Sequence, residues 1–545
     1  MGSSRQGSQR PGPATGEPPS VAVVGGGLAG LTAALRLVER GYRTTVYEQK
    51  HILGGNVASR HAPYGARLDV YPHMCPSWYL NFWQLLSDVT EFEREVLFAP
   101  FSRVAQLRRG DYPSFSVLRG PETLSTLLRN MFSGVQPAAD MFLIAYAGID
   151  MLATALDPSQ DLSVDEFLRQ RPYMTERVAR ATDTFITRVW AIRSAHTSLE
   201  DYRTFVANAT AEREEWLWMA RGPAEECIVA PIVKALSRHG AKIMTGVQAT
   251  GISCDGPRVG EITLRRCHLD PESGDCKGRG KTWTDEADEV VLAVPPMQLS
   301  QLVQNATSGQ PVVEIEPSID GLSQLRAERV PMVHLYLKEK YPLLPPEPVG
   351  LFDSDLCLSF IDISQTWDRV DQFADRTVLA LAASEPNALP GVSPENDAMA
   401  MITELAEYID LDPGNGWGDS PEIDWDLTLY EENPDTLLFV NEAGTNSVRP
   451  RVSCGAIENL SLAGDFCRST VGMTTLESAV MTGLEAARAV VERRGFGTPI
   501  EIHQLVTRPA LLYRWLRFAW APYAAAAKAW SVGADYARVT LGQHT

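Results

Sequence analysis

With 545 residues, a formal charge of -19, 44% hydrophobic and 21% charged residues, the chain is long enough for two large lobes and has the composition of a folded, globular protein. The acidic balance and the lack of any Lys/Arg run exclude a nucleic-acid surface, because phosphate contacts need clustered cations. Eight cysteines without a CxxC pair and an N-terminus without the apolar stretch of a secretory signal predict reduced thiols in a cytoplasmic protein, and no metal site is expected.

In chain order, residues 1–19 are rich in Gly, Ser, Pro and Gln and read as a disordered tail outside the fold. Val21–Val24 is a short apolar run ending in Gly25-Gly26-Gly27. From Leu28 to Arg40 apolar residues recur at helical spacing (Leu28, Leu31, Leu35, Val38) until Gly41, and Tyr42–Glu48 reads as the next strand. Within this β-turn-α-β unit lies Gly25-x-Gly27-x-x-Gly30. The first glycine allows a tight turn, the second lets backbone approach a pyrophosphate, and the third lets helix and strand pack closely. Leu28 and Ala29 open the helix, whose free N–H groups and positive dipole end face the phosphates. Glu48, about 20 residues on, can take both ribose hydroxyls. NAD and FAD both fit this unit.

Residues 80–225 are mostly helical in pattern, and the clearest predicted helices are 80–89, 121–132, 140–156 and 163–170. Residues 240–300 return to strand character in "AKIMTGVQATGI", "VGEITLRRC" and "DEVVLAVP", with "HLDPESGDCKGRGK" a polar loop or hairpin tip. Between 310 and 450, "MVHLYLKE", "LCLSFIDIS", "RTVLALAAS" and "WDLTLYEE" alternate as half-buried strands do. "NLSLAGDF" is a strand ending in Gly464-Asp465, and "TTLESAVMTGLEAARAVVERRG" is a helix closed by Gly495.

Two stretches, 141–156 and 508–530, look membrane-like, but a spanning helix needs about 20 apolar residues. The first contains Asp150 and the second carries Arg514, Arg517, Pro522 and Lys528, so neither is expected to span. The second also places Trp515, Phe518, Trp520, Tyr523 and Trp530 among cations. It reads either as a segment lying in a headgroup layer, making the protein peripheral to a membrane surface, or as a helix packed on the domain surface.

After Glu48, Gln49 and Lys50 comes Gly54-Gly55, and here the sequence resembles the FAD-binding amine oxidase and desaturase superfamily, in which such a pair lies beside the flavin. Asn56 stands where amine oxidases often have Arg, so one anchoring charge is missing or is supplied by Lys50 or Arg60. "GAKIMTGVQATGI" resembles the family's adenine-contacting strand, with Val247 or Ala249 at the contact. "ADEVVLAVPPMQLSQL" resembles the return strand, and "NLSLAGDFCRSTVGMTTLESAVMTG" resembles the closing flavin motif. That last likeness implies Asp465 on a ribityl hydroxyl or the pyrophosphate, and Gly472-Met473-Thr474 leading a helix toward the pyrimidine edge, where its dipole favours charge developing on reduction.

The connecting residues are most similar to the phytoene/zeta-carotene desaturase and squalene-dehydrogenase branch. His73, Tyr79, Asn81, Asp362, Ser364, Arg449 and Pro450 fall on family positions, while Tyr71-Pro72 replaces the usual Gly-containing pair. Aligning "VPMVHLYLKEK" puts Met332 where amine oxidases commonly carry a lysine, with Lys338 and Lys340 beyond it. An apolar Met suits a hydrocarbon better than an amine.

The resemblance implies an α/β fold with a Rossmann-type FAD-binding domain (20–100, 225–305 and 455–497) interleaved with a mixed sheet-plus-helix substrate domain (101–224 and 306–454), followed by the amphipathic segment 498–545. It implies noncovalent FAD, a hydrophobic small-molecule substrate, and a quinone or oxygen as electron acceptor. The expected reaction is hydride removal from a C–C unit of a long isoprenoid or carotenoid-like molecule, with His73 and Tyr79 the polar groups nearest the chemistry. Three rivals remain open: an amine or amino-acid oxidase making an imine and hydrogen peroxide, a redox-neutral flavin-dependent isomerase or dehydroxylase, and a noncatalytic flavin scaffold.

Overall fold

Val21–Val24 carries no polar alternation because it is enclosed on both faces, as central parallel strands are. In the computed structural model of the chain, Ser20–Val24 is the middle of a five-stranded sheet. Its order is Lys242–Thr245, Arg43–Glu48, Ser20–Val24, Glu289–Leu292 and Leu460–Leu462, every neighbouring pair parallel. The structure describes residues 17–542 except 62–66, 121–123, 157–160, 212–215, 270–275, 342, 369–372, 374 and 435. Most of the expected tail, the start of the expected helix 121–132, and the tip of the 268–281 excursion lie outside the described residues.

The helices Leu28–Val38 and Leu476–Arg494 pack on each other against this sheet, joining residues from both ends of the chain in one core. The stretch expected as one strand, "GAKIMTGVQATGI", is two. Gly246, with φ +66°, re-aims the backbone, so that Lys242–Thr245 joins the parallel sheet and Val247–Asp255 opens an antiparallel one with Arg258–Leu269 and Cys276–Asp285. The strand Cys276–Asp285 was not expected, because "CKGRGK" is Gly-rich and polar. It is the edge strand of its sheet, where Lys281, Thr282, Thr284 and Asp285 face water. The expectation that all thiols are reduced is corrected here, since Cys267, in the middle of this hairpin, is disulfide-bonded.

The second lobe is organised by a seven-stranded sheet. Its order is Leu429–Glu431, Met332–Leu337, Thr377–Ala383, Leu358–Asp362, Val349–Leu351, Arg103–Leu107 and Ser116–Arg119. Alternation gives it two apolar faces. Val333, Leu335, Leu379, Leu381, Leu358, Phe360 and Leu107 bury against the helix Pro394–Ala406, while Met332, Ile361 and Ala380 face inward. The last two strands come from the region expected to be mostly helical, and they are short enough to leave no clear period. The helices Ala138–Ala153, Glu176–Trp190 and Leu199–Ala211 form a third packed group, of which the sequence pattern predicted only the first.

The C-terminal helix Ala510–Gly542 lies along Ala138–Ala153 and is pinned to it at two carboxylates. Ser531 donates to Asp140, which also pairs with Arg177, and Arg517 pairs with Asp150 at 3.2 Å. Among the described residues no helix is long and apolar enough to cross a membrane.

Candidate active site

One cavity of about 990 Å³ runs from the parallel sheet to the seven-stranded sheet. Its first wall is almost bare backbone. Gly25 sits at φ +109° with the position of a Cβ only 2.2 Å from the Ala293 carbonyl, and a Cβ on Gly30 would lie 2.1 Å from the Gly25 carbonyl. Any side chain there would separate strand from helix. Gly54 N–H donates to the Gly26 carbonyl at 2.8 Å, which lays the second glycine pair against the first, so that Gly25, Gly27, Gly54 and Gly55 all line one surface. Leu28 and Ala29, the first turn of the helix, face the same space.

Glu48 closes this end. Its carboxylate accepts from Gly26 N–H at 2.7 Å and Lys50 N–H at 2.8 Å, and burial pushes its pKa up against those two bonds. Gln49, Lys50, Asn56, Arg60, Val247 and Ala249 line the same cavity. Asn56 donates to the Leu437 carbonyl and Arg60 faces Glu431 at 3.5 Å, so both are held by the strand region near 430–438.

Gly464 and Asp465 line the same cavity from the strand Leu460–Leu462. Burial raises the Asp465 carboxyl to about 6, against the pull of Arg449. The loop bearing Asp465 is clamped by Arg449, which is 4% exposed. It donates to the carbonyls of Phe466 at 3.1 Å and Cys467 at 2.9 Å and pairs with Asp201 at 2.6 Å. Asn441 donates to the same Asp201 and accepts from Thr474 N–H. Sequence reasoning found Arg449 but not Asp201 or Asn441, whose partners are 248 and 33 residues away.

The expected trio at the closing helix is split. Thr474 lines the cavity with Thr475 and Leu476, whereas Gly472 and Met473 do not. Gly472 is pressed onto the helix Leu199–Ala211, where a Cβ would meet the Asp201 carbonyl at 2.5 Å, and Met473 fills the helical core beside Trp190 and Tyr202. Glu477, the second residue of the helix Leu476–Arg494, accepts from Asn81 N–H and Nδ2 and from Phe82 N–H, and so caps the helix Leu80–Val89. Asn81 is therefore tied into this cap, while Asp362 accepts from Ser364 and caps the short helix Ile363–Thr366.

His73 and Tyr79 are both on the cavity wall. His73 Nδ1 is buried without a hydrogen-bond partner, and burial lowers the imidazole to about 4, which leaves it neutral at physiological pH. Burial drives the Tyr79 phenol upward, so it too stays neutral. Met332 lies on the inner face of the seven-stranded sheet and lines the cavity, but Lys338 and Lys340 do not; Lys338 donates to the Pro421 carbonyl. Trp190, Arg188, Gln106 and Ser359 also line it and were missed. They sit at ordinary helix and strand positions, and no local pattern singles them out.

A bare-backbone cradle at a helix N-terminus, two buried carboxyls in one elongated cavity, and an unpartnered imidazole nitrogen between the sheets suit a bulky dinucleotide with a polar tricyclic head. The fold and cavity define a two-lobed, dinucleotide-dependent oxidoreductase. Residues 28–491 match the family of flavin-containing amine oxidoreductases, and the chain belongs to that family. It is an FAD-dependent oxidoreductase.

Among curated relatives, a 15-cis-phytoene desaturase of Synechococcus elongatus is 23% identical over 520 residues, which is 89% of this chain and 99% of that one. A carotenoid phi-ring synthase of Streptomyces griseus is 50% identical over 62 residues, covering 10% of this chain and 12% of the other. Among solved structures, a redesigned putrescine oxidase aligns with TM-score 0.59 at 15% identity, over 87% of this chain and 99% of that one. A putative protoporphyrinogen oxidase from Exiguobacterium aligns with TM-score 0.58 at 18% identity, over 88% and 98%. These structural likenesses establish the fold.

Proposed function

We propose that the protein is a desaturase or dehydrogenase that removes hydride from a C–C unit of a long apolar, isoprenoid-like substrate. The observation that carries this reading is the inner face of the seven-stranded sheet, where Met332, Ala380, Ala382 and Ile361 form an apolar wall of the same cavity that holds the glycine cradle. The full-length likeness to a phytoene desaturase supports it. Bound FAD supplies a two-electron acceptor.

In this reading the segments near 20–100, 225–305 and 455–497 form the FAD-binding domain, and 101–224 with 306–454 form the substrate domain. Gly25, Gly27, Leu28 and Ala29 take the pyrophosphate, Glu48 takes the adenosine ribose, and Val247 and Ala249 flank the adenine. Asp465 and Thr474 hold the ribityl and pyrimidine end. The apolar wall excludes water and fixes the reacting carbon. His73, neutral, offers one hydrogen bond to the cofactor or holds a departing proton, and Tyr79 closes the wall behind it.

The C-terminal helix exposes Leu511, Trp515, Phe518 and Trp530 in one stripe beside Arg514, and Tyr513 on its opposite side is hydrogen-bonded to Thr210 of the cavity wall. That stripe would seat the protein on an anionic bilayer from which substrate and a quinone acceptor are drawn.

The test is anaerobic mixing of the FAD-loaded protein with an acyclic polyisoprenoid in liposomes. Bleaching of the flavin absorbance followed by recovery on adding a quinone is expected. Bleaching by a polar amine, with peroxide released in air and no need for lipid, would overturn the reading in favour of an amine oxidase. Trp515→Asp with Phe518→Asp is expected to abolish co-sedimentation with anionic vesicles while leaving flavin content intact.

A further inference from the structure

The far end of the cavity holds a cation without an acid. Arg188, near the end of the helix Glu176–Trp190, lays its guanidinium on the bare Gly350. A Cβ there would sit 2.3 Å from Nη1 and 2.8 Å from the Gln106 side-chain oxygen. Arg188 Nη1 donates to Gln106 Oε1 at 2.9 Å and Nη2 to the Leu351 carbonyl at 2.6 Å, the neutral Cys357 side chain lies against the same guanidinium, and the buried Nε has no oxygen or nitrogen partner. No described carboxylate pairs with it. The neighbouring acids Asp183 and Glu385 are occupied by Arg193, and the charges that bear on Arg188 are those of Cys357 and Tyr408, which burial keeps protonated. A guanidinium cannot escape by deprotonation, and an uncompensated one in an apolar wall is costly until an anion arrives.

The position of this cation relative to Met332 follows from strand register. Gln106 pairs with Gly350, Gly350 with Ser359, Ser359 with Ala382, and Ala382 with Met332, all on one face of the sheet. Four interstrand steps put Gln106 roughly 19 Å from Met332. Gln106, Gly350, Ser359, Ala382 and Met332 all line the cavity, as do the apolar Val189 and Phe185 on either side of Arg188. The wall is therefore apolar at its Met332 and Ala382 end and polar at the other, where Ser359, Gln106 and the Arg188 cation line it.

We propose that this end is an oxyanion subsite: Arg188, flanked by Gln106 and Ser359, takes the terminal carboxylate of a substrate whose apolar chain runs back along the sheet toward Met332. The proposal rests on the reading of the cavity as a channel for a long apolar molecule, and narrows it from a hydrocarbon to a chain with one anionic end. Planar, bidentate recognition of a carboxylate is what a guanidinium provides and an ammonium does not.

The test is calorimetric titration of the full-length, FAD-loaded protein with palmitate and with methyl palmitate in the same micelles. The wild type is expected to prefer palmitate by about tenfold or more. Arg188→Gln is expected to lose that preference while still binding the methyl ester. Gly350→Ala, which displaces the guanidinium, shifts the preference the same way, and Arg188→Lys keeps part of it. Flavin content and Tm report folding. Should Arg188→Gln not retain flavin, the Lys and Gly350→Ala variants decide the question. Equal binding of acid and ester by the wild type, or a preference that survives Arg188→Gln, overturns the oxyanion subsite and leaves the apolar channel standing. Binding of neither ligand overturns both.

Discussion

The two ends of the cavity are built by opposite means. At the Glu48 end, contiguous backbone does the shaping: Gly25 to Ala29 and Gly54 to Asn56 meet through one main-chain hydrogen bond, and a single carboxylate tops the strand that follows. At the Arg188 end, no two of the shaping residues are neighbours in sequence; Gln106, Arg188, Gly350 and Ser359 come from one helix and three strands. Backbone shape tolerates almost no substitution, whereas a set of side chains loses its parts one at a time. The two ends should therefore fail differently.

The largest effect is expected from Gly25→Val. A Cβ 2.2 Å from the Ala293 carbonyl, on a residue at φ +109°, forces the strand and helix apart where the cofactor must approach. The variant should emerge from gel filtration without flavin absorbance. Next is the clamp on the Asp465 loop. Arg449→Met leaves Asp201 buried with the Asn441 amide but without its charged partner, a loss of about 3–5 kcal/mol, read as a lower denaturant midpoint. A midpoint within error of wild type would show that the loop does not depend on this pair.

The pH dependence of the FAD-free protein comes third. Asp465 has a folded pKa near 6, above its ordinary value of 3.8, because burial disfavours the charged form. A raised carboxyl contributes stability that is fully present below the ordinary value and is lost as pH rises through the folded one. Asp465 contributes a fall in the denaturant midpoint between pH 4 and 7, to which the buried Asp69, raised to about 7, adds in the same direction, so Asp465→Asn should lessen that fall without abolishing it. His73 acts oppositely. Its pKa of about 4 lies below the ordinary 6.5, so its contribution is present at neutral pH and is lost as pH falls through that interval. His334, lowered to about 4 by burial, acts in the same sense as His73, so His73→Asn should remove part of this opposing trend and steepen the fall.

The same contrast explains what the sequence disclosed. Glycine spacing, the acid after the second strand and the strand-Gly-Asp ending are local, and each reports a backbone shape that only a few residue types allow. They led to Glu48 and Asp465, which do line one cavity. Asn441, Asp201 and Arg188 carry no such signal, because their partners are set by which strands and helices end up adjacent. Gly472 and Met473 show the reverse error: they lie in a motif that reads as cofactor-facing, yet close packing against Asp201 and Trp190 turns them to the helical core. Gly246 divides a single apolar run between two sheets, a change of direction invisible to any periodicity.

The smallest effects sharpen the comparison by deleting one polar group at each end. Glu48→Gln keeps the shape and removes the charge that two backbone N–H groups address, so FAD affinity should drop about tenfold, measured by titrating apo-protein with FAD. Ser359→Ala at the other end removes one neutral hydroxyl from the strand position paired with Gly350, and a neutral hydrogen bond contributes only about 0.5–1.5 kcal/mol. Palmitate affinity should therefore weaken by a few-fold at most, with the methyl ester unaffected, because the guanidinium and its seat on Gly350 remain. A loss as large as that of Arg188→Gln would mean that the hydroxyl, not the cation, positions the ligand, and the far end would then be a hydrogen-bonding site for a carbonyl or alcohol.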